Sequence, residues 1–121
     1  MTKVLVVEDN PLNMELIVEI LNSLGFEVFG VINGEEAIKE VEKEHYDLIL
    51  MDIELPVMDG ISALKIIKSK PGYDDVHTVA LTAFAMKGDK EKFLAAGFED
   101  YISKPIDVPE FMKKMHIFRK S

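Results

Sequence analysis

Short apolar runs alternate with amphipathic segments along the whole chain. An apolar run without polar alternation is typical of a strand that a sheet buries on both faces. The second run alternates between apolar and polar residues, so we expect it to be less fully buried than the others. The pattern predicts five strands, at Val4–Val7, Phe26–Phe29, Leu48–Met51, Val79–Leu81 and Asp100–Ile102.

The segments between these runs carry apolar residues at helical spacing, and turn residues mark their limits. Pro11 suits the first turn of the first helix, and Gly25 suits the position just after its end. Asp107 and Glu110 resemble a capping box before the last helix. The first predicted helix runs from Pro11 to Leu24, with a buried stripe that starts at Leu12. The second is capped by Asn33 and buries Ala37, Ile38 and Val41, the third runs from about Ile61 to Lys70, and the fourth runs from Met86 to Ala96. The final helix packs through Phe111, Met115 and Phe118.

Five successive strand–helix units predict an α/β fold with a doubly wound parallel sheet. Right-handed crossovers then place helices on both faces of the sheet. No linker, internal repeat or low-complexity segment interrupts the pattern. We therefore expect a single domain over residues 1–121.

Composition and charge narrow the classes of function. The formal net charge is −8, from 14 Lys and Arg against 22 Asp and Glu, and cysteine is absent. An acidic surface repels phosphate backbones, which disfavours direct binding of nucleic acid, and disulfides and thiolate sites are excluded. No apolar run approaches the roughly 18 residues of a membrane span, and the N-terminus lacks the layout of a signal peptide. We expect a cytoplasmic protein.

The C-terminal segment departs from this acidic character. It carries Lys113, Lys114, Arg119 and Lys120 with no acid among them. Cations at the end of a helix complement its dipole, which is the interpretation we favour. A short basic docking patch is the alternative.

Polar residues follow most of the predicted strands at the point where each strand ends. These residues are Glu8 and Asp9, Asp52, Thr82, and Ser103 with Lys104. Taken singly, the acids could be caps or loop residues and the lysine would be unremarkable. The carboxyl ends of parallel strands meet at one edge of the sheet, where open α/β folds bind their ligands. Their joint placement therefore predicts a functional site.

The chemistry of this set favours a metal-assisted phosphoryl site. Glu8, Asp9 and Asp52 would repel one another if they were held together without a counter-charge. Oxygen ligands without His or Cys favour Mg²⁺, with Mn²⁺ as a possible substitute. One carboxylate could then act as a nucleophile and form an acyl phosphate. Lys104 offers a positive charge to phosphoryl oxygens, and the Thr82 hydroxyl offers a hydrogen bond.

At this point the sequence resembles the receiver domains of two-component response regulators over essentially its whole length. The resemblance implies a flavodoxin-like sheet of strand order 2-1-3-4-5. It rests on Val4–Asn10, Asp47–Asp52, the loop Leu55–Gly60, Ala80–Ala83 and Ser103–Pro105.

The resemblance assigns a role to each residue of the set. It implies that Asp52 is the phosphoacceptor and that Asp9 and Asp52 bind Mg²⁺ directly. It further implies that Glu8 acts through water and that the backbone carbonyl of Glu54 completes the metal shell. Thr82 matches the switch hydroxyl, and Lys104 matches the lysine that pairs with the phosphate.

Two further features are implied by the resemblance. Lys104–Pro105 is expected to be a cis peptide, which only X-Pro bonds adopt cheaply. Tyr101 matches an aromatic residue that swings inward when Thr82 moves toward the phosphate. For Tyr101 the alternative is a plain packing role, because aromatic residues are common in strands.

The implied function is a switch that accepts a phosphoryl group from a sensor histidine kinase or a histidine phosphotransfer protein and then engages a downstream protein target. No turnover of an external substrate is expected, and the chain is expected to be a monomer or weak dimer. A stand-alone regulator without an output domain is favoured over a phosphorelay shuttle or a receiver excised from a hybrid kinase. A flavin carrier and an aspartyl phosphatase fit poorly, because Glu8–Asn10 would repel a bare phosphate and Asp52 lacks a second aspartate two residues on.

Selection of the kinase is expected to depend on the first helix. The resemblance points to exposed side chains there, and we name Asn13, Met14 and Val18 as candidates.

Overall fold

The fold is described from a computed structural model, which covers residues 2–83 and 89–118. Strands and helices alternate strictly in the described part of the chain. They are β1 (Lys3–Val7), α1 (Pro11–Ser23), β2 (Glu27–Val31), α2 (Gly34–Lys43), β3 (Leu48–Asp52), α3 (Gly60–Lys68), β4 (His77–Thr82), α4 (Asp89–Ala95), β5 (Asp100–Ser103) and α5 (Val108–His116).

The five strands form one parallel sheet in the order β2-β1-β3-β4-β5, which confirms the predicted order. The register aligns the ends of neighbouring strands. Val7 lies beside both Val31 and Met51. Thr82 lies beside Ser103 at the same edge. Residues that directly follow these strands are therefore brought to one edge of the sheet.

Alternate residues of the central strands enter two separate hydrophobic cores, one on each face of the sheet. Leu5 and Ile49 pack with α2, α3 and α4 on the first face. Val4 and Leu50 pack with α1 and α5 on the second face. This arrangement confirms the prediction of a doubly wound sheet. β2 is an edge strand whose residues are mostly exposed, as its alternating pattern predicted.

The helix limits and caps mostly follow the predictions. Gly25 follows α1 with a φ of 89°, a left-handed conformation that glycine adopts without strain. Asn33 caps α2 and Asp107 caps α5. The cap of α1 is Asn10, whose Oδ1 accepts hydrogen bonds from the amides of Leu12 and Asn13. Glu8 and Asp9 do not serve as this cap.

One helix prediction needs correction, and another falls outside the described residues. Leu12 was expected to begin the buried stripe of α1, but its side chain is 76% exposed. It lies in the first turn, on the far side from Ile17 and Leu21, which are buried. The predicted start of the fourth helix at Met86 lies outside the described residues, and α4 is described from Asp89.

Across residues 2–83 and 89–118, no helix has both the length and the apolar character needed to cross a bilayer.

Candidate functional site

The acidic residues predicted to form a site lie together at the carboxyl edge of the sheet. Glu8 and Asp9 directly follow β1, and Asp52 is the last residue of β3. Each can offer one carboxylate oxygen to a group in which all these atoms lie within 4.8 Å of one another. Glu8 and Asp52 are each only 1% exposed, whereas Asp9 is exposed.

Lys104 brings a positive charge to the two buried carboxylates. Its Nζ lies 2.7 Å from Asp52 Oδ2 and 2.8 Å from Glu8 Oε1. The contact with Asp52 is a hydrogen bond, whereas Glu8 Oε1 has no partner at hydrogen-bonding geometry among the described residues. One ammonium group therefore faces two buried acids, and Asp9 adds a third negative charge at the rim.

The pKa values of the buried Glu8 carboxyl and of Lys104 both lie above their ordinary values. Burial raises the pKa of the Glu8 carboxyl to about 7, although the contact with Lys104 acts in the opposite direction. Burial alone would lower the pKa of Lys104, but its contacts with Asp52 and Glu8 outweigh this effect and raise the pKa. A hard divalent cation would relieve the repulsion among the carboxylates of Glu8, Asp9 and Asp52, and carboxylate oxygens suit such an ion.

The Asp52 carboxylate is held from both sides. Its Oδ1 accepts a 2.9 Å hydrogen bond from the backbone amide of Glu54, and Oδ2 accepts the bond from Lys104. Gly60 packs against the backbone carbonyl of Asp52, where a Cβ atom would collide with the carbonyl oxygen. The Gly60 amide also donates to the carbonyl of Ile53. The loop between β3 and α3 is thus folded tightly over the base of Asp52.

Thr82 ends β4 at the other side of the cleft and is almost fully buried. Its hydroxyl donates a 2.8 Å hydrogen bond to Glu54 Oε2, and the amide of Ala83 donates a 2.9 Å bond to Glu54 Oε1. Sequence reasoning gave Glu54 a metal-shell role through its backbone carbonyl and did not predict these two side-chain contacts. The available signal was an acid two residues after Asp52 in the same loop.

The remaining predicted features lie around β5. The Lys104–Pro105 peptide is cis, as expected. The Tyr101 ring lies 5.7 Å from the Phe93 ring, and Lys114 Nζ lies 5.1 Å from the Tyr101 ring centroid. Tyr101 is half-buried in this arrangement, and its proposed movement stays a prediction.

The basic C-terminal segment is described only in part. Lys114 donates to the backbone carbonyl of Tyr101 and lies 3.5 Å from Asp100 and 3.6 Å from Glu110. Lys114 lies in the last turn of α5, which agrees with the helix-end interpretation, and these contacts join it to β5 and to Glu110 of its own helix. Arg119 and Lys120 lie outside the described residues.

The α1 residues named for kinase selection are less available than expected. Asn13, Met14 and Val18 are all half-buried. Met14 packs over Gly30, where the space for a Cβ atom is taken by the Met14 sulfur at 2.8 Å. The prediction that these three side chains are exposed is therefore wrong, and for Met14 the reason is its packing against β2.

Comparisons with known proteins agree with this geometry. The response regulator receiver domain family matches residues 4–116. The chain belongs to this family. It is 45% identical over 114 residues to the polar-differentiation response regulator DivK of Brucella ovis, an alignment that covers 93% of each protein.

Two solved structures place this receiver domain beside relatives with a known ion or partner. The receiver domain of sensor histidine kinase PA1611 from Pseudomonas aeruginosa PAO1 is 41% identical with a TM-score of 0.86, covering 96% of this chain and 95% of that one. That structure has a magnesium ion coordinated in its active-site cleft. A chain in the Saccharomyces cerevisiae co-crystal of the phosphotransfer protein Ypd1 with the receiver domain of Ssk1 is 33% identical with a TM-score of 0.84, covering 93% and 85%.

Proposed function

We propose that this receiver domain accepts a phosphoryl group on Asp52 from a phosphohistidine of a sensor kinase or a histidine phosphotransfer protein. The observation that carries the proposal is the Asp52 carboxylate, which is buried beside two other acids and hydrogen-bonded to Lys104. A buried acid that is held in this way has no evident role in packing. Transfer of phosphoryl groups from histidine kinases is general for the family, and the Ypd1–Ssk1 co-crystal pairs a receiver domain with a histidine phosphotransfer protein.

The bonds that form and break in the transfer involve only Asp52 and the phosphohistidine donor. A carboxylate oxygen of Asp52 attacks the phosphorus atom, and the bond between phosphorus and the donor imidazole nitrogen breaks. The electron pair of that bond stays on the imidazole, and Asp52 becomes an acyl phosphate. Lys104 is placed to pair with the phosphoryl oxygens, since its Nζ already lies 2.7 Å from Asp52. The Thr82 hydroxyl is the nearby donor at the end of β4.

We further propose that Mg²⁺ assists this step. The donor set fits the ion, because three carboxylates converge and the buried Glu8 Oε1 accepts no hydrogen bond from residues 2–83 and 89–118. Asp9 and Asp52 would hold the ion through their side chains, Glu54 through its backbone carbonyl and Glu8 through water. The bound ion would neutralise the charge that the phosphoryl group brings. The magnesium ion in the PA1611 receiver domain supports this choice, and replacement by Mn²⁺ stays a prediction.

Phosphorylation is proposed to change the surface that binds a downstream protein target. The added charge and acceptor oxygens would draw Thr82 toward the phosphate, and Tyr101 would follow. Its ring now packs near Phe93 of α4, so its movement would alter the face formed by α4, β5 and α5. The domain is proposed to carry out only its own phosphorylation and dephosphorylation, with no external substrate.

The relatives leave the cellular role of the domain open between two kinds of protein. DivK is a response regulator, whereas PA1611 is a sensor kinase that contains a receiver domain. We propose the stand-alone regulator as the role, and the phosphorelay shuttle and the hybrid-kinase receiver stay as alternatives. A stand-alone regulator would bind its target only after phosphorylation, whereas a shuttle would return the phosphoryl group to a second histidine protein.

Intact mass after incubation with acetyl phosphate tests the central proposal. One phosphoryl adduct is expected with Mg²⁺, and none is expected with a chelator or in Asp52→Asn. A parallel sample with Mn²⁺ tests the replacement, and circular dichroism confirms that the variant is folded. If the wild type shows no adduct, binding of beryllofluoride distinguishes rapid hydrolysis from loss of the site. An adduct that persists in Asp52→Asn would contradict the proposal.

A further inference from the structure

The side chain of Glu54 occupies two hydrogen-bond donors at the end of β4. Its Oε2 accepts from the Thr82 hydroxyl at 2.8 Å, and its Oε1 accepts from the Ala83 amide at 2.9 Å. A carboxylate that receives one donor on each oxygen presents a planar pair of charged acceptors. Two oxygens of a phosphoryl group would present the same chemistry to the same two donors.

The position of these donors makes the contact relevant to Asp52. Asp52 lies beside Leu81 in the sheet register, directly before Thr82 along β4. The Glu54 backbone is fixed close by, because its amide donates to Asp52 Oδ1. The Glu54 side chain therefore spans the cleft from the β3–α3 loop to the end of β4. A phosphoryl group on Asp52 would be attached between these two elements.

We infer that Glu54 is an internal competitor that must leave Thr82 and Ala83 before a phosphoryl group on Asp52 can be bound by them. The inference rests on the proposed phosphorylation of Asp52. The Thr82 hydroxyl and the Ala83 amide each have a single proton to donate. Neither can therefore donate a full hydrogen bond to Glu54 and to a phosphoryl oxygen at the same time.

The competition has a physical cost that opposes phosphorylation. Both hydrogen bonds to a charged acceptor are lost when Glu54 moves, and water replaces them only in part. Glu54 is half-buried, so its side chain can turn toward solvent while its backbone stays in place. In addition, its negative charge repels an incoming phosphoryl group as long as it remains in the cleft. Glu54 would therefore set a threshold against spontaneous phosphorylation and keep Thr82 engaged in the unphosphorylated protein.

Affinity for beryllofluoride, a phosphoryl mimic, tests the competition without a kinase. The wild type, Glu54→Gln and Glu54→Ala are titrated with beryllofluoride in the presence of Mg²⁺, and binding is followed by fluorine NMR. Both variants are expected to bind at least about threefold more tightly, the scale of one net hydrogen bond. Glutamine keeps the shape of the side chain but turns an amide NH₂ toward one of the two donors, so a structural effect of shortening is controlled.

The chemical shift of the Ala83 amide proton distinguishes competition for this donor from a general change in packing. In the wild type its resonance is expected at low field both before and after beryllofluoride, because one charged acceptor replaces another. In Glu54→Ala it is expected to start at higher field and to move to low field only on binding. Asp74→Asn is the matched control, since it removes one exposed charge before β4, at the opposite edge of the sheet.

The outcomes separate this inference from the function on which it rests. If the wild type binds no beryllofluoride, the phosphorylation proposal itself fails. If the wild type binds but both Glu54 variants bind equally or more weakly, the competitor role is wrong. An equal gain in Asp74→Asn would also overturn it, since the effect would then come from net charge alone.

Discussion

Lys104 Nζ lies 2.7 Å from Asp52 Oδ2, so the lysine after β5 reaches the acid that ends β3. The Lys104 side chain is 15% exposed, and that of Asp52 is 2% exposed. A charge pair at this depth is weakly screened by water and salt. In the proposed phosphorylation, Lys104 would therefore orient Asp52 before the phosphoryl group arrives and pair with the phosphoryl oxygens afterwards.

Replacement of Lys104 by methionine should weaken beryllofluoride binding by about tenfold or more. The change removes a charge-assisted hydrogen bond of about 1.5–3 kcal/mol while keeping most of the side-chain volume. Titration by fluorine NMR in the presence of Mg²⁺ measures the effect. Lys113→Met on α5 is the matched control, because Lys113 is exposed. Equal affinity of the Lys104 variant and this control would contradict the assignment of Lys104.

Replacement of Glu8 by glutamine should stabilise the fold while it weakens Mg²⁺ binding. Glu8 is buried, one of its oxygens has no hydrogen bond within the described part of the chain, and burial raises its pKa to about 7. Keeping this carboxylate charged at pH 8 costs free energy, so the neutral amide should raise the free energy of unfolding by about 1–3 kcal/mol.

Urea unfolding at pH 8 in the presence of a chelator measures this change. The control is Glu15→Gln on α1, which removes a charge from an exposed position. A loss of stability in Glu8→Gln would show that the Glu8 carboxylate is a structural group rather than one retained for the site.

Much of this site was predictable because strand ends are encoded locally. The apolar runs fix where β1, β3 and β4 end, and the parallel sheet brings those ends together. Glu8, Asp52 and Thr82 could thus be placed at one edge without a structure. The cap of α1 was harder to predict, since Glu8, Asp9 and Asn10 can all accept from a helix terminus. The structure assigns Asn10, because Glu8 is buried at the end of β1.

Contacts that depend on loop paths could not be predicted in this way. The Glu54 carboxylate reaches Thr82 only because the β3–α3 loop folds back toward β4, and no periodic pattern encodes that path. A second example is a set of buried hydrogen bonds around Tyr46, the residue two positions before β3. The Tyr46 hydroxyl donates a 2.6 Å hydrogen bond to Glu40, and the Tyr46 amide donates to the Tyr73 hydroxyl. These residues come from separate segments whose meeting is set by tertiary packing.

Asp59 gives the pH dependence of stability a specific source. It caps α3, where its carboxylate accepts from both the amide and the hydroxyl of Ser62. The bond from the Ser62 amide is the main reason that the pKa of Asp59 is lowered below its ordinary value of 3.8. The resulting stabilisation is present above the unfolded-state pKa and is lost as the pH falls through the lower folded-state pKa.

Comparison of the wild type with Asp59→Asn between pH 6 and pH 3 tests this source. Asparagine caps a helix but does not titrate, so the wild type should lose stability relative to the variant only near and below pH 4. Asp59→Ala should lose about 1 kcal/mol at pH 6, since it removes the cap. Stabilities are measured by urea unfolding. A constant difference between the wild type and Asp59→Asn across this range would contradict the assignment.

Gly60 should tolerate substitution far less well than Gly30, although both sites are tight. A Cβ atom at Gly60 would collide with the backbone carbonyl of Asp52, which cannot move without shifting the proposed phosphoacceptor. At Gly30 the same atom would meet the Met14 sulfur, at the end of a flexible side chain. Alanine improves helix propensity by about 1 kcal/mol over glycine, but the collision at the start of α3 should outweigh this gain.

We therefore expect Gly60→Ala to lower the free energy of unfolding by about 1–3 kcal/mol more than Gly30→Ala does. Urea unfolding measures the stabilities, and intact mass after incubation with acetyl phosphate and Mg²⁺ measures the reaction at Asp52. The Gly60 variant should also be phosphorylated more slowly, since its β3–α3 loop must shift at Asp52. Equal stability of the two variants, or an unchanged rate in Gly60→Ala, would show that the loop can relax without disturbing Asp52.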